Sequence, residues 1–133
     1  MSTYTYSVIK SSWGIWIRLS AEAQPLLSGK HGALEVSSGV WIEVTAAGLD
    51  ESERQYLVDG IRSVAGRIRK ALGHEHAMVV RVLDVEYNLT DYQADALEYA
   101  MASWAATEFK FEAPCTGVSF DRAQNRYIFE PSS

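Results

Sequence analysis

From Tyr4 to Leu19 apolar and polar residues alternate: Tyr4, Tyr6 and Val8 share one side of an extended chain, and Trp13, Ile15, Ile17 and Leu19 resume the pattern after Ser11-Ser12. Successive strand side chains point to opposite faces, so this period of two predicts a long strand with a bend or bulge at the serines. Ala21 to Gly32, with Pro25, Ser28, Gly29 and Lys30, has the turn chemistry of a loop. A second strand is predicted over Ala33–Thr45, divided at Ser37-Ser38-Gly39. In its second half Val40, Ile42 and Val44 face one way and Trp41, Glu43 and Thr45 the other.

The period then lengthens. Leu57, Ile61, Val64, Ile68 and Leu72 recur at helical spacing, Asp50 with Glu53 three residues on forms a capping box, and Gly73 provides a stop. Arg54, Arg62, Arg67, Arg69 and Lys70 fall outside that stripe. Met78 to Tyr87 opens on a nearly continuous apolar run, Met78-Val79-Val80-Arg81-Val82-Leu83, which suits a central strand. Thr90 and Gln93 have the spacing of a second capping box, for a helix with Leu97, Ala100, Met101, Trp104 and Ala105 on its inner face and Pro114 closing it. Val118–Phe120 and Tyr127–Phe129 read as a hairpin around Asp121–Asn125. The order is ββαβα plus a C-terminal hairpin: a single α+β domain over residues 1–133, with two helices on one face of a small antiparallel or mixed sheet.

Composition narrows the function classes. Among 133 residues, 47% are apolar, enough to bury a core, and the net charge of −5 gives no field for gathering phosphates, so nucleic acid is not an expected partner. Met1–Tyr6 is neither basic nor apolar, and no run of about 18 apolar residues occurs, so no membrane partner and a cytoplasmic location are expected. The single cysteine, Cys115, fits a reducing compartment. Asn88-Leu89-Thr90 has the glycosylation pattern, but without an export signal it reads as a strand end followed by a helix cap.

Between Glu43 and Phe109, Gly60-Ile61-Arg62 in the first helix, Gly73 after it, the apolar strand leading into Asp84-Val85, and Leu89, Asp91, Leu97, Ala100 and Phe109 beyond form a pattern. In these features the segment, about half the chain, resembles the fourth domain of elongation factor G, which also runs strand, helix, strand, helix. The resemblance implies a split βαβ sheet covered by helices on one side, and a ribosome-associated role, although the factor's GTPase region is missing. In size, and in lacking an evident catalytic set, the chain also looks similar to the stand-alone proteins that close the lysinoalanine bridge in cinnamycin-like lanthipeptides. That similarity implies a natural-product tailoring protein that promotes cross-link formation chiefly by positioning its substrate.

Candidate chemistry is sparse. His74-Glu75-His76 offers two imidazoles, but zinc needs at least three protein ligands, so the triplet reads as a polar loop and no metal is expected. Cys115, in Ala113-Pro114-Cys115-Thr116-Gly117, carries no family signature and reads as a loop thiol. The basic residues of the first helix are interleaved with Glu51, Glu53 and Asp59, as on a solvated face. Asp84, Glu86, Asp91 and Asp95 form a possible carboxylate cluster, although acidic residues are common in a first helical turn. No cofactor is expected.

The sheet face opposite the helices is the informative feature. Alternation puts Trp16 with Arg18, and Trp41 with Glu43, on that side, and Arg81 and Leu83 extend it. Two exposed tryptophans would forgo roughly 3–6 kcal/mol, at about 1.5–3 kcal/mol for each large apolar side chain. Cover is therefore expected from the C-terminal hairpin or the Ala21–Gly32 loop, from a homodimer partner, or from a small hydrophobic or peptide ligand held by these six residues. A homodimeric binding domain for such a ligand is the leading expectation, with an adaptor or immunity-type protein-binding module as the alternative.

Overall fold

The computed structural model describes residues 1–25, 33–73, 77–113 and 116–131. The long alternating segment is an antiparallel pair, β1 (Ser2–Ile9) and β2 (Gly14–Pro25), folded back at the serines. β2 runs on through Ala21–Pro25, which the turn chemistry had assigned to a loop. There Ala21 and Ala23 keep the alternation and pair with Val82 and Val80, and Pro25 comes last, where its missing N–H costs no ladder bond. Ser38-Gly39, with Gly39 at φ 78°, turns β3 (Leu34–Ser37) into β4 (Val40–Val44).

The helix α1 (Glu51–Leu72) has the expected capping box, with Asp50 accepting from the Glu53 amide at 2.8 Å and Glu53 from the Asp50 amide at 3.0 Å. It leads into β5 (Met78–Tyr87), and the sheet order is β1-β2-β5-β4-β3. β5 is central, as its apolar run requires. The inserted strand that a split βαβ unit would need is not there, because β4 and β5 are directly hydrogen-bonded in parallel. All other neighbours in the sheet are antiparallel.

The second helix, α2 (Ala96–Phe109), starts later and ends earlier than its sequence signals suggest. Leu89–Asp91 is a single 3-10 turn capped by Asn88, and the Thr90 hydroxyl donates to Asn88. Gln93 is taken up elsewhere: its side-chain amide donates to the Tyr127 carbonyl and accepts from the Tyr127 N–H, both at 2.7 Å. Those two backbone groups would otherwise go unpaired in a packed region, so this distant demand overrides the local capping box. At the other end Lys110, in the left-handed conformation at φ 59°, ends the helix before Pro114, which lies outside the described residues.

Both helices pack on one sheet face, where Ile15, Ile17, Leu19, Ile42, Val80 and Val82 are buried beneath Leu57, Ile61, Ile68, Leu97, Met101 and Trp104. The C-terminal hairpin, β6 (Thr116–Asp121) with β7 (Arg126–Pro131), forms a separate two-stranded sheet. Tyr127, fully buried, fastens it: its hydroxyl donates to the Trp13 carbonyl at 2.6 Å and accepts from the Lys10 amide at 2.8 Å. Trp13 packs edge-on against Phe120 and Tyr127, and Phe129 stacks on Tyr99 of α2. The hairpin therefore anchors on Trp13 and Tyr99. Among the described residues no helix is long and apolar enough to cross a membrane.

α1 and α2 meet at Gly60, where an added Cβ would lie 2.5 Å from the Glu98 carbonyl oxygen and 2.8 Å from the Met101 Cβ. Gly66, on the exposed side of α1, has nothing within 4 Å of the same position. Gly60→Ala is expected to destabilise by about 1–3 kcal/mol through forced separation of the helices, whereas Gly66→Ala should stabilise by about 0.5–1 kcal/mol through helix propensity. Urea unfolding of the two variants checks both signs.

Candidate functional site

Trp16, Arg18, Trp41, Glu43 and Arg81 keep the alternation of the helix-free face but fall into separate groups, and Leu83 lies at a break in it. Cross-strand pairs mark the face: Thr3 and Ser20 hydroxyls lie 2.9 Å apart, and the Arg18 guanidinium is 3.5 Å from the Glu86 carboxylate. Arg81, at the centre, donates to Glu43 at 2.7 Å and reaches Glu22 and Gln24 at 3.4 Å. One guanidinium thus joins β4, β5 and β2, and its partners are the sheet's own side chains.

Leu83 sits in a bulge, since Ser20 pairs with Asp84 while Ala21 pairs with Val82. Trp41 pairs across β5 with Val79, which faces Gln24 on β2. Trp16 therefore lies eight residues along β2 from the level of Trp41, roughly 26 Å at about 3.3 Å per residue. The two indoles do not form one surface.

The Trp16 end offers accessible apolar surface. Trp16 is half-buried, and the Arg18 guanidinium stands over its ring, 5.3 Å from the centroid. Two open clefts of about 410 Å³ each flank it and share Trp16 and Asn88 as walls. One lies between Val85–Asn88 and the Ala47–Leu49 loop. The other is bounded by Ser7, Ile9, Gly14 and Asp91. Ile9 and Leu89, among the few large apolar side chains exposed, are 76% and 82% accessible at this same end of the sheet. An apolar shelf is thus edged by one cation and several hydrogen-bonding groups, as in sites for partly hydrophobic ligands.

Behind the first cleft, Tyr87 stacks on Tyr92 with ring centroids 3.7 Å apart, and the Tyr92 hydroxyl donates a short hydrogen bond to the buried Glu53 carboxylate. Burial first, and the neighbouring carboxylate second, push both phenols above their ordinary pKa, so both stay protonated at neutral pH. Glu53 also accepts from the Asp50 amide, which makes the group a strut between α1 and the end of β5.

The acidic residues considered as a cluster serve separate partners. Glu86 pairs with Arg18, Asp95 with Arg126 at 3.2 Å, and Asp91 with the Gly14 amide at 3.4 Å, while Asp84 is exposed. No group of three or more potential metal ligands occurs among the described residues. His74-Glu75-His76, Cys115 and residues 26–32 lie outside those residues.

Sequence reasoning missed Ile9, Leu89, the Ala47–Leu49 wall and Tyr92. Leu89, an isolated leucine in a polar stretch, was the one available signal. No family model and no curated protein matches the chain.

Tyr92→Phe leaves Oε2 of the buried Glu53 carboxylate without its donor and is expected to cost about 1–3 kcal/mol in urea unfolding. The raised phenol pKa values carry a sign: the stability they contribute is complete below the ordinary value of 10.0 and is lost as pH rises beyond it, because the unfolded chain ionises first. The alkaline loss of stability should accordingly be shallower in Tyr92→Phe than in the parent.

Proposed function

We propose that this chain is a binding domain whose Trp16 end holds a short, partly hydrophobic peptide or modified peptide. The observation carrying this reading is the half-buried indole between two clefts of about 410 Å³, with Ile9 and Leu89 left 76% and 82% exposed beside it. Covering an apolar side chain of that size is worth about 1.5–3 kcal/mol, and Arg18 and Asn88 supply polar contacts at its margin.

A site of this kind acts on a bound peptide chiefly by holding its reactive groups together, the mode implied by the similarity to lysinoalanine-forming proteins. It does not require a homodimer, because the separation of Trp16 from Trp41 removes the reason for one partner to cover both.

The test uses a panel of synthetic octapeptides in which one phenylalanine or leucine is flanked by polar residues, titrated against the ¹⁵N-labelled protein. At least one should shift the Trp16 indole N–H resonance. Trp16→Ala should then weaken binding about thirtyfold, the loss of about 2 kcal/mol expected at an aromatic anchor. Trp41→Ala should leave affinity within about twofold, as for a distant, independent site. Unchanged binding by Trp16→Ala, or no response to any peptide, refutes the reading.

A further inference from the structure

β5 outruns its parallel neighbour. It pairs with β2 as far as Tyr87, but with β4 only from Met78 to Val82. β4 ends because the chain turns away: the Thr45 and Ala46 amides both converge on the Val82 carbonyl, at 2.9 and 3.1 Å. The Arg54 guanidinium takes the Val44 and Ala46 carbonyls, at 3.0 and 3.4 Å. Beyond that point β5 has no partner on this side among the described residues, and its Val85–Tyr87 stretch borders the cleft of about 410 Å³ whose far wall is Ala47–Leu49. Among the described residues no backbone hydrogen bond crosses it. A strand whose alternate N–H and C=O groups face a cleft is a template for an incoming strand.

The side chains along this edge select the occupant. Asp84 and Glu86 are both exposed on the helix-free face, and Arg18 pairs with Glu86. A second copy pairing antiparallel through the same edge would set Asp84 and Glu86 against their own counterparts, and like charges directly across a ladder are destabilising. The overall charge of −5 adds to that repulsion. A strand carrying cations at those positions meets the opposite condition. Residues paired with Val85 and Tyr87 would turn to the other side, towards half-buried Leu49.

We infer that the free edge of Asp84–Tyr87 takes an extended peptide as an added strand in line with β4, with lysine or arginine at alternate positions and apolar residues between. This rests on the peptide-binding reading above and supplies its binding mode and charge pattern.

The probe is acetyl-Lys-Val-Lys-Leu-Lys-amide, compared with its glutamate analogue and with two versions N-methylated at alternate backbone positions, so that each register is blocked once. Affinity is measured by ¹H–¹⁵N titration, and edge pairing by hydrogen exchange of the 84–88 amides. The lysine peptide should protect alternate amides of this stretch, and one N-methylated version should bind about tenfold more weakly. The glutamate analogue should be weaker by about fivefold or more. Asp84→Lys, at an exposed position that leaves the core untouched, should reverse the lysine-over-glutamate preference. Strand addition is overturned if neither N-methylated peptide is impaired, if the glutamate analogue binds equally well, or if the lysine peptide fails to bind. Shifts at Trp16 without protection at 84–88 also overturn it, while leaving the Trp16 reading in place. Protection at 84–88 that survives Trp16→Ala upholds strand addition and removes Trp16 from the site.

Discussion

The close approach of α1 and α2 at Gly60 organises the rest of the molecule. With no side chain at that point the 22-residue and 14-residue helices lie side by side over one face of the five-stranded sheet. The four apolar residues Leu57, Ile61, Val64 and Ile68 are buried there, a gain of roughly 6–12 kcal/mol at about 1.5–3 kcal/mol each. Covering one face so fully leaves the other to be settled without helices. Most of it is settled by polar pairs reaching across strands: Thr3 with Ser20, Arg18 with Glu86, and Arg81 with Glu43 and Glu22. Towards the Trp16 end that scheme gives way to an indole, two clefts and exposed aliphatic groups.

The parts of this arrangement that depend on local periodicity could be read from the residues alone. The α1 stripe, its Asp50–Glu53 cap and the division of β4, of most of β2 and of β5 as far as Val82 into inward and outward positions follow from spacings within one element, whereas the bulge at Leu83 reverses the pattern beyond it. Alternation assigns a face but not a place along it. Whether Trp16 and Trp41 are neighbours depends on strand order and register, and those arise from pairings with β5 residues 79 and 85–87 that no local pattern encodes. Two residues on the same face were therefore legible, and the roughly 26 Å between them was not.

Distant partners also explain the misplaced start of α2. Thr90 and Gln93 have the spacing of a capping box, yet Gln93 spends its amide on the backbone of Tyr127, 34 residues later. Glu53 combines both behaviours, since its capping bond to Asp50 was visible in the sequence and its bond from Tyr92, 39 positions away, was not. A side chain with both donor and acceptor groups satisfies whichever buried group would cost most if left unpaired, and that group need not be nearby in the chain.

The same reasoning separates the two polar sites on the uncovered face. Arg81 already satisfies its guanidinium with two carboxylates and an amide oxygen, so a ligand recruiting it would first have to break contacts as good as those it offered. Trp16 presents a different case, because covering its ring displaces water from apolar surface and disturbs at most the stacked Arg18 guanidinium. The free edge of β5 adds backbone groups that exchange water for a partner strand on similar terms. Residues whose bonding is complete hold the sheet together, and the proposed peptide is left the end where the ring and the edge have no such bonds to lose.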